Sequence, residues 1–210
     1  MARVTAERVE QTKLELLEAA RQVLTEEGFA GLSTRRVSEI ANTQMSQIRY
    51  HFGSKEGMIL ALFEYMNAGL IERQKQTFTN PSLRISEKWF LACDFLDEDI
   101  QSGYVRVLQE LIAAGWSNPK IGDAVRAALT QWNELLIALA QEATEEHGDI
   151  GPLSVEAMAS LIACAFIGAE ALILLGYEEQ IHPVRKTLRQ VGEVIANLEN
   201  LQKEESNHAR

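Results

Sequence analysis

Six residues in one short stretch, Gln44, Met45, Ser46, Gln47, Arg49 and Tyr50, combine side chains suited to reading a base edge with side chains suited to holding a phosphate. Glutamine can bond an adenine edge through two hydrogen bonds, and arginine can do the same to guanine. A methionine can touch a thymine methyl, and hydroxyls serve phosphates or bases. Ile48 and Phe52, four residues apart, would turn the other side of the same helix inward. The chemistry is that of a helix laid in a DNA groove.

The elements around this stretch must place it. Ser33 is suited to cap a helix, along which Val37, Ile40 and Ala41 fall on one side. Asn42 tolerates positive φ, so the chain can turn there without glycine. A second helix then runs from Gln44 to His51, and a third starts at Ser54, with Lys55 beside the free N–H groups of its first turn, where a phosphate is favoured. This is a helix-turn-helix layout. A solvated amphipathic helix pair would share the pattern, with Arg35, Arg36, Gln44 and Gln47 outside and Val37, Ile40 and Ile48 inside.

With GFAGLSTRRVSEIA ahead of the turn, Ile48, Tyr50, His51 and Phe52 as I-x-Y-H-F, and Ser54, Lys55 and Glu56 as S-K-E, the sequence resembles the TetR family of bacterial transcriptional repressors over about residues 8 to 66. Beyond that the likeness is one of length and helical pattern. The resemblance implies that Ser33 caps the first reading helix and touches phosphate, that Gln44 to Gln47 meet bases or backbone, and that Arg49, Tyr50, His51 and Lys55 hold phosphates. The expected DNA-contacting set is Ser33, Thr34, Arg35, Arg36, Gln44, Met45, Ser46, Gln47, Arg49, Tyr50, His51 and Lys55. Three positions depart from the family pattern: Asn42 replaces the usual glycine, Gln44 a capping serine, for which Thr43 can stand in, and Arg49 a common aromatic.

The chain has 210 residues, 46% hydrophobic and 24% charged, which suits a soluble globular protein rather than a disordered one. Its net charge of −10 is unevenly spread: residues 1 to 60 balance to zero and the rest carry all of the excess acid. Within Phe29 to Gly57 the balance is +2, a locally basic patch on an acidic protein. So small a footprint calls for two copies on DNA. The polar stretch Met1 to Thr12 shows no secretory signal, which predicts a cytoplasmic protein, and Arg3 and Arg8 form either a basic arm for a minor groove or a solvated leader. Cys93 and Cys164 lie in apolar helical runs, so both are expected to be buried reduced thiols, without a neighbouring redox motif.

Helical spacing predicts a first helix over Val9 to Glu26, ended by Gly28, and a long one over Ser54 to Thr77, followed by helices near 85–100, 103–117, 119–147, 153–176 and 184–203. The expected fold class is all-α. Residues 1–53 form a helix-turn-helix DNA-binding domain, 54–80 a linker helix, and 81–210 a helical ligand-binding and dimerisation domain.

Leu153 to Gly176 is apolar all round, and must lie in a protein interior or in lipid. Glu156 and Glu170 within it, and Glu178 with Glu179 after it, argue against a membrane. Ala165, Gly168, Ala169 and Leu172 on this helix, with Val184, Leu188, Val191, Ile195 and Leu198 on the last, are the expected homodimer interface, two helices from each chain. The alternative use of the same helices is a single-chain core.

The middle helices carry six aromatic side chains, among them all three tryptophans. The resemblance implies a small-molecule effector there, and the candidate lining is Met66, Trp89, Phe90, Cys93, Tyr104, Gln109, Trp116, Trp132, Asn133 and Glu170, a largely apolar set with few polar anchors. The same aromatics also suit an ordinary core. No phosphate loop, H-E-x-x-H or Cys/His metal spacing is present, and His51, His147, His182 and His208 share no evident site. No catalytic residue, metal or cofactor is expected. The expectation is a ligand-responsive regulator, more a repressor than an activator, on a palindromic DNA operator. The alternative is a DNA-binding dimer with no small ligand.

Overall fold

The computed structural model describes residues 2–148, 151–177 and 180–208, with side chains described for 7–201 within those ranges. Glu178 and Glu179, and the side chains of Arg3 and His208, lie outside that description. Among the described residues there are nine helices and no strand: α1 Ala2–Gly31, α2 Thr34–Ile40, α3 Met45–Phe52, α4 Lys55–Phe78, α5 Ile85–Gln101, α6 Tyr104–Gly115, α7 Pro119–His147, α8 Val155–Leu174 and α9 Val184–His208. The fold is all-α. The first helix begins earlier than its apolar pattern suggests, and its backbone leaves helical geometry at Gly28 (φ 74°, ψ −178°), the glycine expected to end it.

Two compact units are formed, one from Met1–Gly69 with Gln101–Val125 and the other from Leu70–Ile100 with Arg126–Arg210. In the first, Leu16, Leu17, Ala20, Val23 and Leu24 of α1 are buried, as are Val37 of α2, Ile48 of α3, and Met58, Leu62 and Phe63 of α4. Burying side chains of this size supplies roughly 1.5–3 kcal/mol each. Helix α6 joins this core through Val105, Val107, Leu108 and Leu111. Phe63 stacks on Tyr104 at 5.8 Å, and the Tyr104 hydroxyl donates to Asn67 Oδ1 at 2.8 Å, so the buried carboxamide oxygen has a partner. Gly103 sits at φ 83°, a backbone that favours glycine, and Leu24 Cδ2 lies 3.1 Å from where a Cβ would stand, a tight approach as α6 enters.

The second unit is built on α5. Trp89 Nε1–H donates to the Leu188 carbonyl of α9 at 2.7 Å, and Ser86 gives both its N–H (3.0 Å) and its hydroxyl (2.6 Å) to the buried carboxylate of Glu199. Gly192 of α9 lets Trp89 and Phe90 come within 2.8 and 2.7 Å of where its Cβ would lie. Lys88, fully buried, places its ammonium against Glu142 of α7 at 2.5 Å. A charge taken out of water in this way is tolerable only with its partner in place. Asp97 with Arg185, Asp94 with Arg189, and Asp99 with Arg73 (2.7 Å) add pairs along the same helix. Burial pushes the Asp99 carboxyl above its ordinary value against the opposing pull of Arg73.

Candidate nucleic-acid interface

Ser33 has extended backbone (φ −135°, ψ 153°) and its Oγ accepts the Arg36 N–H at 3.2 Å, the capping bond expected of it. Helix α2 stops at Ala41, and Asn42 turns the chain at φ 48°, the one positive-φ residue other than glycine among those described. The Thr43 N–H then closes on the Ser38 carbonyl at 2.9 Å. Gln44 caps α3 by backbone position alone, its side chain accepting from no backbone N–H of the helix; its Oε1 instead accepts from Ser46 Oγ at 3.4 Å. At the far end Gly53 (φ 76°) stops α3, and Ser54 Oγ accepts the Gly57 N–H at 3.0 Å to start α4.

This short helix exposes Met45 (55%) and Tyr50 (71%) with Gln44, Ser46 and Arg49, while Ile48 is sealed in the core. Gln47, His51 and Phe52 are half-buried, and the Tyr50 and His51 rings meet edge to face at 5.0 Å. The cations differ among themselves. Arg35 is bound to Glu39 at 2.9 Å, and Arg36 lies against Glu27 at 2.5 Å and Glu39 at 3.7 Å. The Arg35 hydrogen bond holds the Glu39 carboxyl below the usual carboxylate range. Arg49 and Lys55, both exposed, have no carboxylate within salt-bridge distance among the described residues. Thr34 is half-buried in the first turn of α2.

The expected effector residues are divided between the two units. Met66, Tyr104, Gln109 and Trp116 belong to the first, and Trp89, Phe90, Cys93, Trp132, Asn133 and Glu170 to the second. Trp116 does not line an interior: it stands 83% exposed in the turn after α6, where the chain leaves its helix before an indole can be covered. Tyr104 is engaged with Phe63 and Asn67. Trp89 and Trp132 meet the Phe166 ring at 5.7 and 6.2 Å, with Cys93 in the same cluster, so these side chains fill one another's space.

The expected dimer residues separate by face. Ala169 and Leu188 are buried in this chain's own core, and Val184 and Ile195 pack against it. Ala165, Gly168, Val191 and Leu198 are exposed and Leu172 is half-buried. The exposed set continues through Leu161, Leu175, Val194 and Leu201. A second period in α9, Val191, Val194, Leu198 and Leu201, marks that outer stripe. Helix α8 is long and apolar enough to cross a membrane by length and composition, and only 28% of its apolar window is buried.

Cys164 is exposed on this face of α8, contrary to the expectation that both cysteines are buried; an apolar run does not reveal which of its sides lacks a neighbour. Cys93 is buried, and burial pushes its thiol up to about 11. The folded chain therefore favours the protonated thiol. Stability from this group is complete below the ordinary thiol value and is lost as pH rises toward 11. Alkylation of the native protein near neutral pH should spare Cys93, and peptide mapping after denaturation reads this directly.

A solvent-facing helix held by a capped partner helix, on an otherwise all-helical body, has the helix-turn-helix arrangement. Residues 16–62 match the sequence profile of the bacterial regulatory proteins of the tetR family. The chain is 34% identical over 65 residues to the transcriptional repressor NicS of Pseudomonas putida, a stretch that spans 31% of each protein. The chain therefore matches about a third of that relative's length. Among solved structures it resembles the regulator FadR of Bacillus subtilis in complex with stearoyl-CoA, with a TM-score of 0.68 and 18% identity over 87% of this chain and 96% of that one. A transcriptional regulator from Saccharomonospora viridis in complex with choline gives a TM-score of 0.72 at 17% identity, covering 88% and 96%. At such identities the likeness concerns the fold.

Proposed function

We propose that this protein is a homodimeric transcriptional repressor that binds a palindromic DNA operator and is released from it by a small, largely apolar molecule. The observation that carries the reading is α3, whose base-reading and phosphate-holding side chains face solvent while Ile48 anchors it. The uncovered apolar face of α8 and α9 supports the dimer, which gives two reading helices for two half-sites. Effector binding in the second unit bears on α4, which starts beside α3 and ends with Phe78 in the second unit's core, and changes the spacing of the two reading helices. Residues 1–53 act as the reading domain, 54–80 as the link and 81–210 as the sensing and pairing domain, in the cytoplasm. A regulator, not an enzyme, is what these features serve.

Selection of bound duplexes from a random DNA pool, with light scattering of the winning complex, tests this. An inverted repeat carrying two chains, or four, is the expected result; no enrichment at low salt with a folded dimer in hand would sink it. On the selected duplex, Gln47→Ala should alter base preference by about 1–3 kcal/mol. Lys55→Ala should weaken every sequence alike and reduce the salt slope by about 0.9 per protomer. An unchanged slope would remove Lys55 from the phosphate contacts.

A second reading, a DNA-binding dimer with no effector, is favoured by the close packing of Trp89, Cys93, Trp132 and Phe166 where an apolar cavity was expected.

A further inference from the structure

Gln74 of α4 is only 7% exposed, and its Oε1 is buried with no hydrogen-bond donor in reach. Phe78, one helical turn on, shares its face of α4 and is packed among Ile85, Leu136, Leu139 and Ala159. The carboxamide therefore belongs to the apolar side of the helix, where an unmet acceptor costs folding free energy and calls for an explanation. Arg73 Nε, which also meets no acceptor, belongs to a guanidinium that lies over the Phe95 ring at 4.3 Å and bonds Asp99.

We propose that Gln74 is the polar anchor of the effector site, and that it selects a compound with an apolar body and one hydrogen-bond donor, such as a hydroxyl, directed at Oε1. The inference rests on the effector-released reading above and adds the ligand's chemistry to it. Oε1 is buried and meets no donor, so the side chain discriminates by the donor a ligand carries; rejection of a compound without one follows from leaving the oxygen unmet. Its place on α4 also puts recognition on the helix that begins beside the reading element.

The test uses the full-length protein and two matched probe pairs, benzyl alcohol with benzyl methyl ether and 1-decanol with decyl methyl ether, read by thermal melting. Methylation removes the donor and leaves the body. In the parent protein, at least one alcohol should raise the melting temperature by about 2 °C or more above its ether. In Gln74→Met, and in Gln74→Leu should the first fold poorly, the pair should act alike and the unliganded protein should melt no lower than the parent, because the orphaned oxygen is gone. Equal effects of alcohol and ether in the parent, no effect of either, or an alcohol preference that survives both variants would overturn the proposal. So would a marked drop in the melting temperature of both unliganded variants, which would show that Oε1 already has a partner such as water. Release of the selected duplex is followed alongside. A Gln74-dependent alcohol preference without release would leave the anchor standing and overturn the effector-released repressor.

Discussion

Gly57→Ala is expected to lower folding stability by about 3 kcal/mol and to weaken binding to the selected duplex by about 10- to 100-fold. A Cβ at this position would stand 2.0 Å from the carbonyl oxygen of Phe52 and 3.2 Å from its carbonyl carbon. Those atoms are backbone at the end of α3, so no rotamer change can relieve the clash, and α4 must move away from the reading helix. Any such shift alters where α3 stands relative to the core that Ile48 enters. Gly69→Ala is the control, since nothing lies within 4 Å of its Cβ; in the same helix it should stabilise by about 0.5–1 kcal/mol. Chemical denaturation and duplex binding measured side by side decide the matter. If the two alanine variants behaved alike, the junction of α3 and α4 would not have the close approach described.

Replacing Val194 and Leu198 together by glutamate should give a folded monomer of 23.5 kDa whose affinity for an inverted repeat is lower by roughly 1,000-fold. In a single chain these side chains are 58% and 55% exposed, so carboxylates there cost the protomer little. Facing a second copy of α8 and α9, they would be buried without partners, which an interface does not tolerate. The loss in DNA binding then follows because the second half-site is no longer delivered by the same particle. Cys164 provides an independent reading: alkylation should be slow in the dimer and fast in the variant, while Cys93 is spared in both. A dimer that persisted in the variant would move the pairing surface off this face.

Much of the helix-turn-helix was legible because its rules are local. Ser33 caps, Asn42 turns with positive φ, Gly28 breaks the first helix, and Ile48 goes inward, all from residue type and spacing. The helices of the second half were equally visible from their apolar period and from the breaks at Gly103, Pro119 and Pro183. What could not be read was which neighbour each face meets. Trp116 and Trp132 look alike as aromatics on helical stretches, yet one is open to solvent and the other packs on Phe166. Leu188 and Leu198 sit in one apolar series, but the first is spent on this chain's core and the second is not. Nothing in the pattern marks Gln101–Val125 as the companion of the N-terminal helices, because that depends on Gly103 admitting Leu24 and on Tyr104 finding Asn67. Gln74 was passed over because a lone glutamine in an amphipathic helix carries no mark of being turned inward.

Arg36 is already occupied by Glu27 and Glu39. A phosphate that takes its guanidinium must first displace Glu27, while Glu39 keeps its bond to Arg35, so contact with DNA would be an exchange of partners at this residue rather than a new attraction. Glu27 lies in α1, one residue before the break at Gly28, and it would be set loose by the same event. The number of ions expelled from the duplex should therefore fall below the number of arginines and lysines at the surface, and any estimate of the interface from the steepness of its salt dependence would understate how many side chains touch the backbone.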